Sequence, residues 1–139
     1  KRFNQVLNSN VVSCFLCSRE AVRRFPAGSA IVNVSSLASQ TGSPFEYVDY
    51  AASKGAMDTL TKGLSREVAG SGIRVNAVRP GFIYTDMHGG EPGRVDRLAP
   101  QIPMQRGGSA EEVANTIAWL LSDEASYVTG SFIDVAGGR

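Results

Sequence analysis

The chain has 139 residues, of which 42% are hydrophobic and 19% charged, and its formal net charge at pH 7 is +1. That length predicts a single domain over residues 1–139, and the near balance of fourteen basic and thirteen acidic side chains argues against nucleic acid as a partner. No run of about 18 apolar residues is present, so neither a membrane-spanning helix nor a membrane partner is expected.

The spacing of apolar residues predicts three long helices and three short strands. The helical segments are residues 5–25, residues 48–69 and a segment that begins after Ser109, which has two glutamates in its first turn. The strands are residues 30–34, 73–78 and 131–135. The first strand has the largely apolar composition of a strand buried on both faces. Between the last two strands, residues 82–109 are rich in Gly and Pro, with one short helix near residues 95–99.

The order of these elements determines the expected fold class. Strands that alternate with helices are connected by right-handed crossovers, which predicts an α/β fold with a parallel sheet and helices on both faces. Three strands are too few for such a sheet. We therefore expect the chain to be the C-terminal part of a doubly wound, Rossmann-type domain.

Tyr50 and Lys54 are the strongest candidates for chemistry. They are four residues apart on a predicted helix, so their side chains share one face. A free tyrosine has a pKa near 10 and is a poor base at neutral pH, but a nearby ammonium favours the phenolate. The residues between and after them are small, which leaves that face of the helix open to a ligand. The pair predicts proton transfer to a carbonyl or from an alcohol.

Two further segments follow predicted strands, at the sheet edge where open α/β sheets bind their ligands. Ser35 and Ser36 follow the first strand, and either hydroxyl can hydrogen-bond a reacting oxygen or cap a turn. Pro80 and Gly81 end the second strand, either as an ordinary turn or as the start of a segment along a flat ligand.

The cysteines and the single histidine favour simpler interpretations. Cys14 and Cys17 form a C-x-x-C pair inside the predicted first helix with no second pair elsewhere, which favours buried structural thiols over a zinc or redox site. No metal is therefore expected, and the scarcity of cysteine favours a reducing, cytoplasmic setting. His88 lies in a Gly-rich loop, where solvent exposure is a simpler interpretation than substrate contact.

Taken together, these motifs resemble the short-chain dehydrogenase/reductase family over essentially the whole chain. The resemblance rests on Asn10 in Asn-Val-Val-Ser-Cys-Phe, residues 31–36 (Ile-Val-Asn-Val-Ser-Ser), residues 50–54 (Tyr-Ala-Ala-Ser-Lys), residues 73–81 (Ile-Arg-Val-Asn-Ala-Val-Arg-Pro-Gly), Thr85 and residues 130–138. Each motif alone is a modest signal, and their order and spacing make the combination specific. The family's glycine-rich phosphate loop follows none of the three strands, so we expect it upstream of residue 1.

The resemblance implies an oxidoreductase that moves a hydride between NAD or NADP and a small-molecule alcohol or ketone. It implies that Tyr50 is the catalytic acid/base, that Lys54 promotes ionisation of the phenol and binds the nicotinamide ribose, and that Ser36 orients the substrate oxygen. By the same resemblance, Asn10 holds a water that links Lys54 to solvent. The segment at the nicotinamide end is implied to consist of Pro80, Gly81, Ile83 and Thr85. Fourteen positions separate Ser36 from Tyr50, about one more than in many relatives, which keeps Ser35 as an alternative.

Two alternatives remain at this point. A sugar-nucleotide epimerase or dehydratase shares the tyrosine–lysine pair, but the few residues after the last strand leave no room for a separate substrate domain. A non-catalytic binding or assembly module keeps the fold, but it has no need of an intact Asn10, Ser36, Tyr50 and Lys54. Surplus apolar residues on the first two helices form one candidate association surface, and the C-terminal helix with residues 132–135 forms a second. Together with the resemblance, they predict a homo-oligomer, most simply a tetramer. The alternative is that the part of the domain expected upstream of residue 1 covers both surfaces.

Overall fold

The structure, a computed structural model, describes residues 1–86 and 93–139. Its helices are α1 (Arg2–Leu7), α2 (Ser13–Arg24), α3 (Ala38–Thr41), α4 (Val48–Val68), α5 (Arg94–Leu98) and α6 (Ala110–Leu121). Its strands are β1 (Ala30–Val34), β2 (Arg74–Pro80) and β3 (Phe132–Val135). A π-helical turn, Asn8–Val12, joins α1 to α2, and short 3₁₀ turns cover Ala69–Ser71, Ala99–Gln101 and Asp123–Ala125.

The three strands form one parallel sheet in the order β1-β2-β3. Successive side chains of β2 point to opposite faces, and Val75, Asn76, Ala77 and Val78 are all fully buried, so both faces of this strand are covered. Contacts of α4 and α6 with β2 provide that cover. The predicted α/β fold with a parallel sheet and helices on both faces is confirmed.

The burial of β1 differs from the prediction. Only Asn33 of this strand is buried, and Val34 is 46% exposed. In the described part of the chain, β1 pairs only with β2. The other edge of β1 and its carboxyl end are therefore left exposed. An apolar composition predicts a strand, but burial on both faces also depends on neighbours that the strand itself does not encode.

Most predicted boundaries agree with the structure within a few residues, with two informative differences. The first helical segment begins at Arg2 and contains the π-helical turn, and it ends at Arg24 because Phe25 precedes a proline and is extended. The second strand continues to Pro80, two residues beyond the predicted end, which brings its carboxyl end level with the residues that follow β1. No helix in the described residues is both long and apolar enough to cross a membrane.

Packing of α4 on the sheet positions the candidate site. Val68, Ile73 and Val75 form a buried cluster that joins the end of α4 to β2. Farther along the same interface, the Asn33 amide donates to the Thr61 hydroxyl at 2.9 Å. This polar contact between two buried side chains ties β1 to the middle of α4, so the helix start is held at one edge of the sheet.

Candidate active site

The residues that follow the three strands meet at the carboxyl edge of the sheet. The backbone N–H groups of Ser35 and Leu37 donate to the carbonyls of Val78 and Pro80 at 2.9 and 3.0 Å, which extends the pairing of β1 with β2 beyond the end of β1. Gly81 N–H donates to the carbonyl of Val135 on β3 at 3.0 Å. The geometry therefore brings the serine pair and the Pro80–Gly81 turn together, at the edge where open α/β sheets hold ligands.

Tyr50 and Lys54 lie near the start of α4, close to this edge. The Lys54 ammonium donates to the carbonyl oxygen of Val34 at 2.9 Å, and its Nζ lies 5.5 Å from the centre of the Tyr50 ring. Both residues are half-buried. An ammonium has three N–H donors, so the contact with Val34 leaves two of them for other acceptors.

Opposing effects act on the charge of Lys54. Burial lowers the pKa of Lys54 from its ordinary value, because a buried ammonium loses hydration. The charges of Cys14 and Asp58 act in the opposite direction and raise it. The Cys14 thiol itself has a raised pKa because it is partly buried. The site thus combines a partly desolvated cation with an acidic side chain on the same helix.

Asn10 lies in the π-helical turn and faces α4. Its amide Nδ2 donates to the Ser53 hydroxyl at 2.9 Å, and that hydroxyl donates to the carbonyl of Tyr50 at 2.7 Å. The amide is therefore connected to the helical turn that carries Tyr50 and Lys54. Nothing in the apolar spacing of the sequence signals the π-helical turn, a feature that recurs at functional sites in helices.

The two serines have different environments. Ser35 is buried, and its hydroxyl donates to the Lys54 carbonyl at 3.3 Å. Ser36 is half-buried, and its hydroxyl oxygen accepts from the backbone N–H of Ala38 at 3.1 Å, at the start of α3. A hydroxyl that accepts a hydrogen bond keeps its own proton for another acceptor. Ser36 is therefore the serine with a proton still available.

The segment from Pro80 to Thr85 is partly explained by packing. A side chain on Gly81 would come within 2.9 Å of Ala136, so the close approach of β2 and β3 requires glycine there. Ile83 is buried and pairs with Gly108 in an isolated β-bridge. Thr85 is exposed. Packing thus accounts for Gly81 and Ile83 independently of any ligand.

The cysteine prediction is wrong in part. Cys14 is half-buried, but Cys17, one helical turn later on α2, is exposed. Within residues 1–86 and 93–139, no group of three metal-ligating side chains lies together. His88 lies outside the described residues, so its environment stays a prediction.

Sequence reasoning missed two charged residues beside the site. Asp58 lies on α4 one turn after Lys54, and Arg79 lies on β2 next to the Pro80–Gly81 turn. Both side chains are largely buried and form an ion pair at 2.9 Å. The available signal was an acidic residue four positions after Lys54, on the face of the predicted helix that carries Tyr50 and Lys54.

Comparison with known proteins supplies the family. A family model described as enoyl-(acyl carrier protein) reductase matches residues 1–139. The uncharacterized oxidoreductase YgfF of Escherichia coli K12 is 70% identical over 146 residues, covering 100% of this chain and 59% of that protein. The 3-oxoacyl-(acyl-carrier-protein) reductase FabG of Rickettsia felis is 41% identical over 140 residues, covering 98% of this chain and 57% of the relative. The chain thus spans somewhat more than half the length of these curated relatives.

Solved structures agree with the sequence matches. A short-chain dehydrogenase/reductase from Brucella melitensis superposes with a TM-score of 0.91 at 38% identity, over 98% of this chain and 55% of the other. The protein BdcA in complex with NADPH gives a TM-score of 0.91 at 34% identity, over 99% of this chain and 56% of the other. A 4-hydroxyisoleucine dehydrogenase complexed with NADH gives a TM-score of 0.88 at 30% identity, over 98% of this chain and 58% of the other. The motifs, the parallel sheet and these matches together show that the chain belongs to the short-chain dehydrogenase/reductase family of oxidoreductases.

Proposed function

We propose that the protein is an NAD(P)-dependent oxidoreductase that interconverts an alcohol and a carbonyl, with Tyr50 as the acid/base. The observation that carries the proposal is the position of the Lys54 ammonium, 2.9 Å from the Val34 carbonyl oxygen and 5.5 Å from the centre of the Tyr50 ring, at the carboxyl edge of the sheet. Relatives named as an oxidoreductase and a 3-oxoacyl reductase, and neighbours complexed with NADPH or NADH, support this chemistry.

The residues at the sheet edge fit the nicotinamide end of such a cofactor. Lys54 has two N–H donors left after its contact with Val34, which suits the two hydroxyls of a ribose. Pro80, Gly81, Ile83 and Thr85 are proposed to lie along the nicotinamide. When bound, NAD or NADP supplies or accepts the hydride.

The side chains of this chain handle the proton and the substrate oxygen. The Tyr50 phenol gives its proton to the carbonyl oxygen in reduction and takes a proton from the alcohol in oxidation. The Lys54 ammonium lies 5.5 Å from the centre of the Tyr50 ring, on the same side of α4. Ser36 donates its free proton to the reacting oxygen, whereas the Ser35 hydroxyl is engaged by the Lys54 carbonyl.

Asn10 is proposed to support this arrangement through the backbone of α4. Its contact with Ser53 holds the turn between Tyr50 and Lys54, and the water proposed to link Lys54 to solvent belongs at this turn.

The epimerase and the non-catalytic module are not favoured, because the named relatives are an oxidoreductase and a reductase. We further propose a small-molecule carbonyl or alcohol substrate, a cytoplasmic setting and a homotetramer.

The test is Tyr50→Phe in the complete protein, assayed with NADH and NADPH against a panel of small ketones. Loss of the phenolic proton is expected to lower kcat by about 10²- to 10⁴-fold, while the cofactor Kd from fluorescence titration stays within about twofold, because Lys54 is intact. Tyr127→Phe is the matched control, since Tyr127 is fully exposed, and it should behave as wild type. Wild-type kcat in the Tyr50 variant, or a wild-type protein that turns over with neither nucleotide, would contradict the proposal.

A further inference from the structure

Helix α5 is held on one side by the segment that follows β2. Val95 is buried, and a Cβ on Gly107 would lie 2.3 Å from the Val95 side chain and 2.8 Å from the Tyr84 ring. The Tyr84 hydroxyl donates to the Asp96 carboxylate at 2.7 Å. These contacts fix α5 to the segment that is proposed to lie along the nicotinamide.

Arg94, the first residue of α5, reaches a different part of the chain. Its guanidinium Nη2 lies 2.9 Å from Glu46 Oε2, 48 positions earlier in the sequence. The Arg94 side chain is 13% exposed, whereas that of Glu46 is 46% exposed. A guanidinium that is largely removed from water needs acceptors for its N–H groups, and Glu46 supplies one. The contact therefore constrains the position of α5.

Glu46 is itself fixed in a turn that leads into α4. The backbone N–H groups of Glu46 and Tyr47 donate to the carbonyl of Ser43 at 3.3 and 3.2 Å. Ser43 and Phe45 have φ values of +45° and +64°, in the left-handed region that residues other than glycine seldom adopt. Strained backbone of this kind clusters at ligand sites and switch regions. The turn holds the Glu46 carboxylate four residues before Tyr50.

The ion pair joins the two segments that flank the candidate site. Glu46 belongs to the segment that follows β1, and Arg94 belongs to the segment that follows β2. These strands are neighbours in the sheet, so both segments leave from the carboxyl edge where open α/β sheets hold ligands. A contact between the segments closes one side of the space between them. Because ion pairs of this exposure are weak, the contact can open to admit a substrate.

We propose that the Glu46–Arg94 ion pair is a clasp on the substrate side of the oxidoreductase site. It holds α5 against the turn before α4, and α5 then forms one wall of the space in which the substrate lies beside Tyr50. Glu46 and Arg94 are positioning residues, because each acts through the place of α5. The inference rests on the proposed function, in which Tyr50 transfers the proton. Substrate affinity should therefore depend on the charge at position 46, and proton transfer should not.

The test compares Glu46→Gln and Glu46→Lys in the complete protein. Gln removes the charge, and Lys places a second cation beside Arg94, so α5 should be held less firmly in the first variant and repelled in the second. Hydrogen exchange followed by mass spectrometry measures this in the peptide that contains α5. Exchange there is expected to be at least about tenfold faster in the Lys variant than in wild type, with the Gln variant between them.

Steady-state kinetics measures the consequence for the substrate. The KM for a ketone that the wild type reduces is expected to rise at least about threefold in the Lys variant, because less of the protein has α5 in place. The Gln variant should again lie between, while kcat and the cofactor Kd stay within about twofold of wild type. A purely structural defect would lower the amount of active enzyme, and therefore kcat, and leave KM unchanged.

Glu20→Lys is the matched control. Glu20 is a paired carboxylate of similar exposure, 43%, whose partner on α2 is Arg23 at 3.2 Å, so the variant makes the same change of charge on an element without proposed site residues. Its α5 exchange and KM should equal those of wild type. If Glu46→Lys does not fold, the isosteric Glu46→Gln decides by the same two measurements.

Unchanged α5 exchange or an unchanged KM in the Glu46 variants, or equal changes in Glu20→Lys, would overturn the clasp. Hydrogen exchange does not require turnover. Failure of this inference is therefore distinct from failure of the proposed function, which would appear as a wild-type protein without NAD(P)-dependent activity.

Discussion

Several motif residues have structural roles that are separate from chemistry. Asn76 is fully buried, and its amide donates to the Val128 carbonyl at 2.9 Å while its side-chain oxygen accepts from Ser131 N–H at 3.0 Å. It therefore joins β2 to the residues that lead into β3. Gly130, at a φ of +69°, passes so close to Ser65 that a Cβ would lie 2.7 Å from its hydroxyl. Residues such as Asn76 and Gly130 match the family because the fold needs them, so their presence predicts the fold and not the reaction.

Substitutions at Lys54 and at Tyr50 should have different effects on kcat and on cofactor affinity. Lys54→Met removes a charge and the donors proposed for the ribose, so both kcat and cofactor affinity are expected to fall by at least about tenfold, whereas Tyr50→Phe affects kcat alone. Steady-state kinetics and fluorescence titration of the nucleotide on the complete protein measure the two quantities. Lys62→Met is the control on the exposed side of α4. A Lys54 variant that binds the nucleotide as tightly as wild type would exclude the ribose contact.

At the scale of elements, α6 is held by contacts at both ends. Ser109 and Glu112 form a capping box in which the Ser109 hydroxyl accepts from Glu112 N–H at 3.2 Å and the Glu112 carboxylate accepts from Ser109 N–H at 2.9 Å. At the other end, the Arg74 guanidinium donates to the carbonyls of Leu120 and Ser122 at 2.8 and 3.0 Å. These contacts fix α6 against β2 and satisfy backbone groups that a helix leaves unpaired at its ends.

The capping box predicts a dependence of stability on pH. The hydrogen bond from Arg106, with that from Ser109 N–H, lowers the pKa of Glu112 from 4.5 to about 2. A carboxyl whose pKa is lower in the folded protein than in the unfolded chain stabilises the fold fully at any pH above the unfolded-state pKa. This contribution is lost as the pH falls through the folded-state pKa. The Tm difference between wild type and Glu112→Gln should therefore be constant above about pH 5 and should shrink as the pH falls from 4.5 to 2.

Calorimetry of the complete protein measures that difference, with Glu111→Gln as the control. Glu111 is exposed and lies outside the capping box, so its variant should show no such closing of the gap over this range. A Tm gap for Glu112→Gln that persists unchanged at pH 2 would contradict the assignment.

At the scale of the whole molecule, α2 and α4 present an apolar groove to the surface. Phe15 is 54% exposed, and the groove beside it is lined by Ser18, Leu60, Gly63 and Leu64, together with the charged residues Arg19 and Glu67. At the far edge of the sheet, β3 pairs with β2 alone among the described strands. Two separate surfaces of this kind support the prediction of a tetramer with twofold symmetry.

Phe15→Asp should break the first surface and leave the second. Multi-angle light scattering of the complete protein at micromolar concentration is expected to give a tetramer for wild type and half that mass for the variant, because a buried charge disrupts an apolar contact. Phe45→Asp, at a fully exposed phenylalanine outside the groove, should leave the mass unchanged. A monomeric wild type would exclude the prediction.

The sequence by itself determined the order of helices and strands and the pairing of Tyr50 with Lys54, because these depend on spacings of two to four residues along the chain. The parallel sheet followed from that order, because strands that alternate with helices are joined by crossover connections. The start of α6 was equally local, since the capping box spans Ser109 to Glu112. Such features appear in a sequence because the residues that form them are neighbours along the chain.

Only the tertiary structure decided which groups face the site. It distinguished Ser36 from Ser35 by the partner of each hydroxyl, exposed Cys17, left β1 half-covered, and brought Arg79 of β2 to Asp58 of α4 across 21 positions of sequence. Burial and pairing depend on contacts between residues far apart in the chain, so the spacing around any one of them does not contain that information. Lys54 is the clearest case, because its ammonium donates to the carbonyl of Val34 on β1, 20 positions away in the sequence.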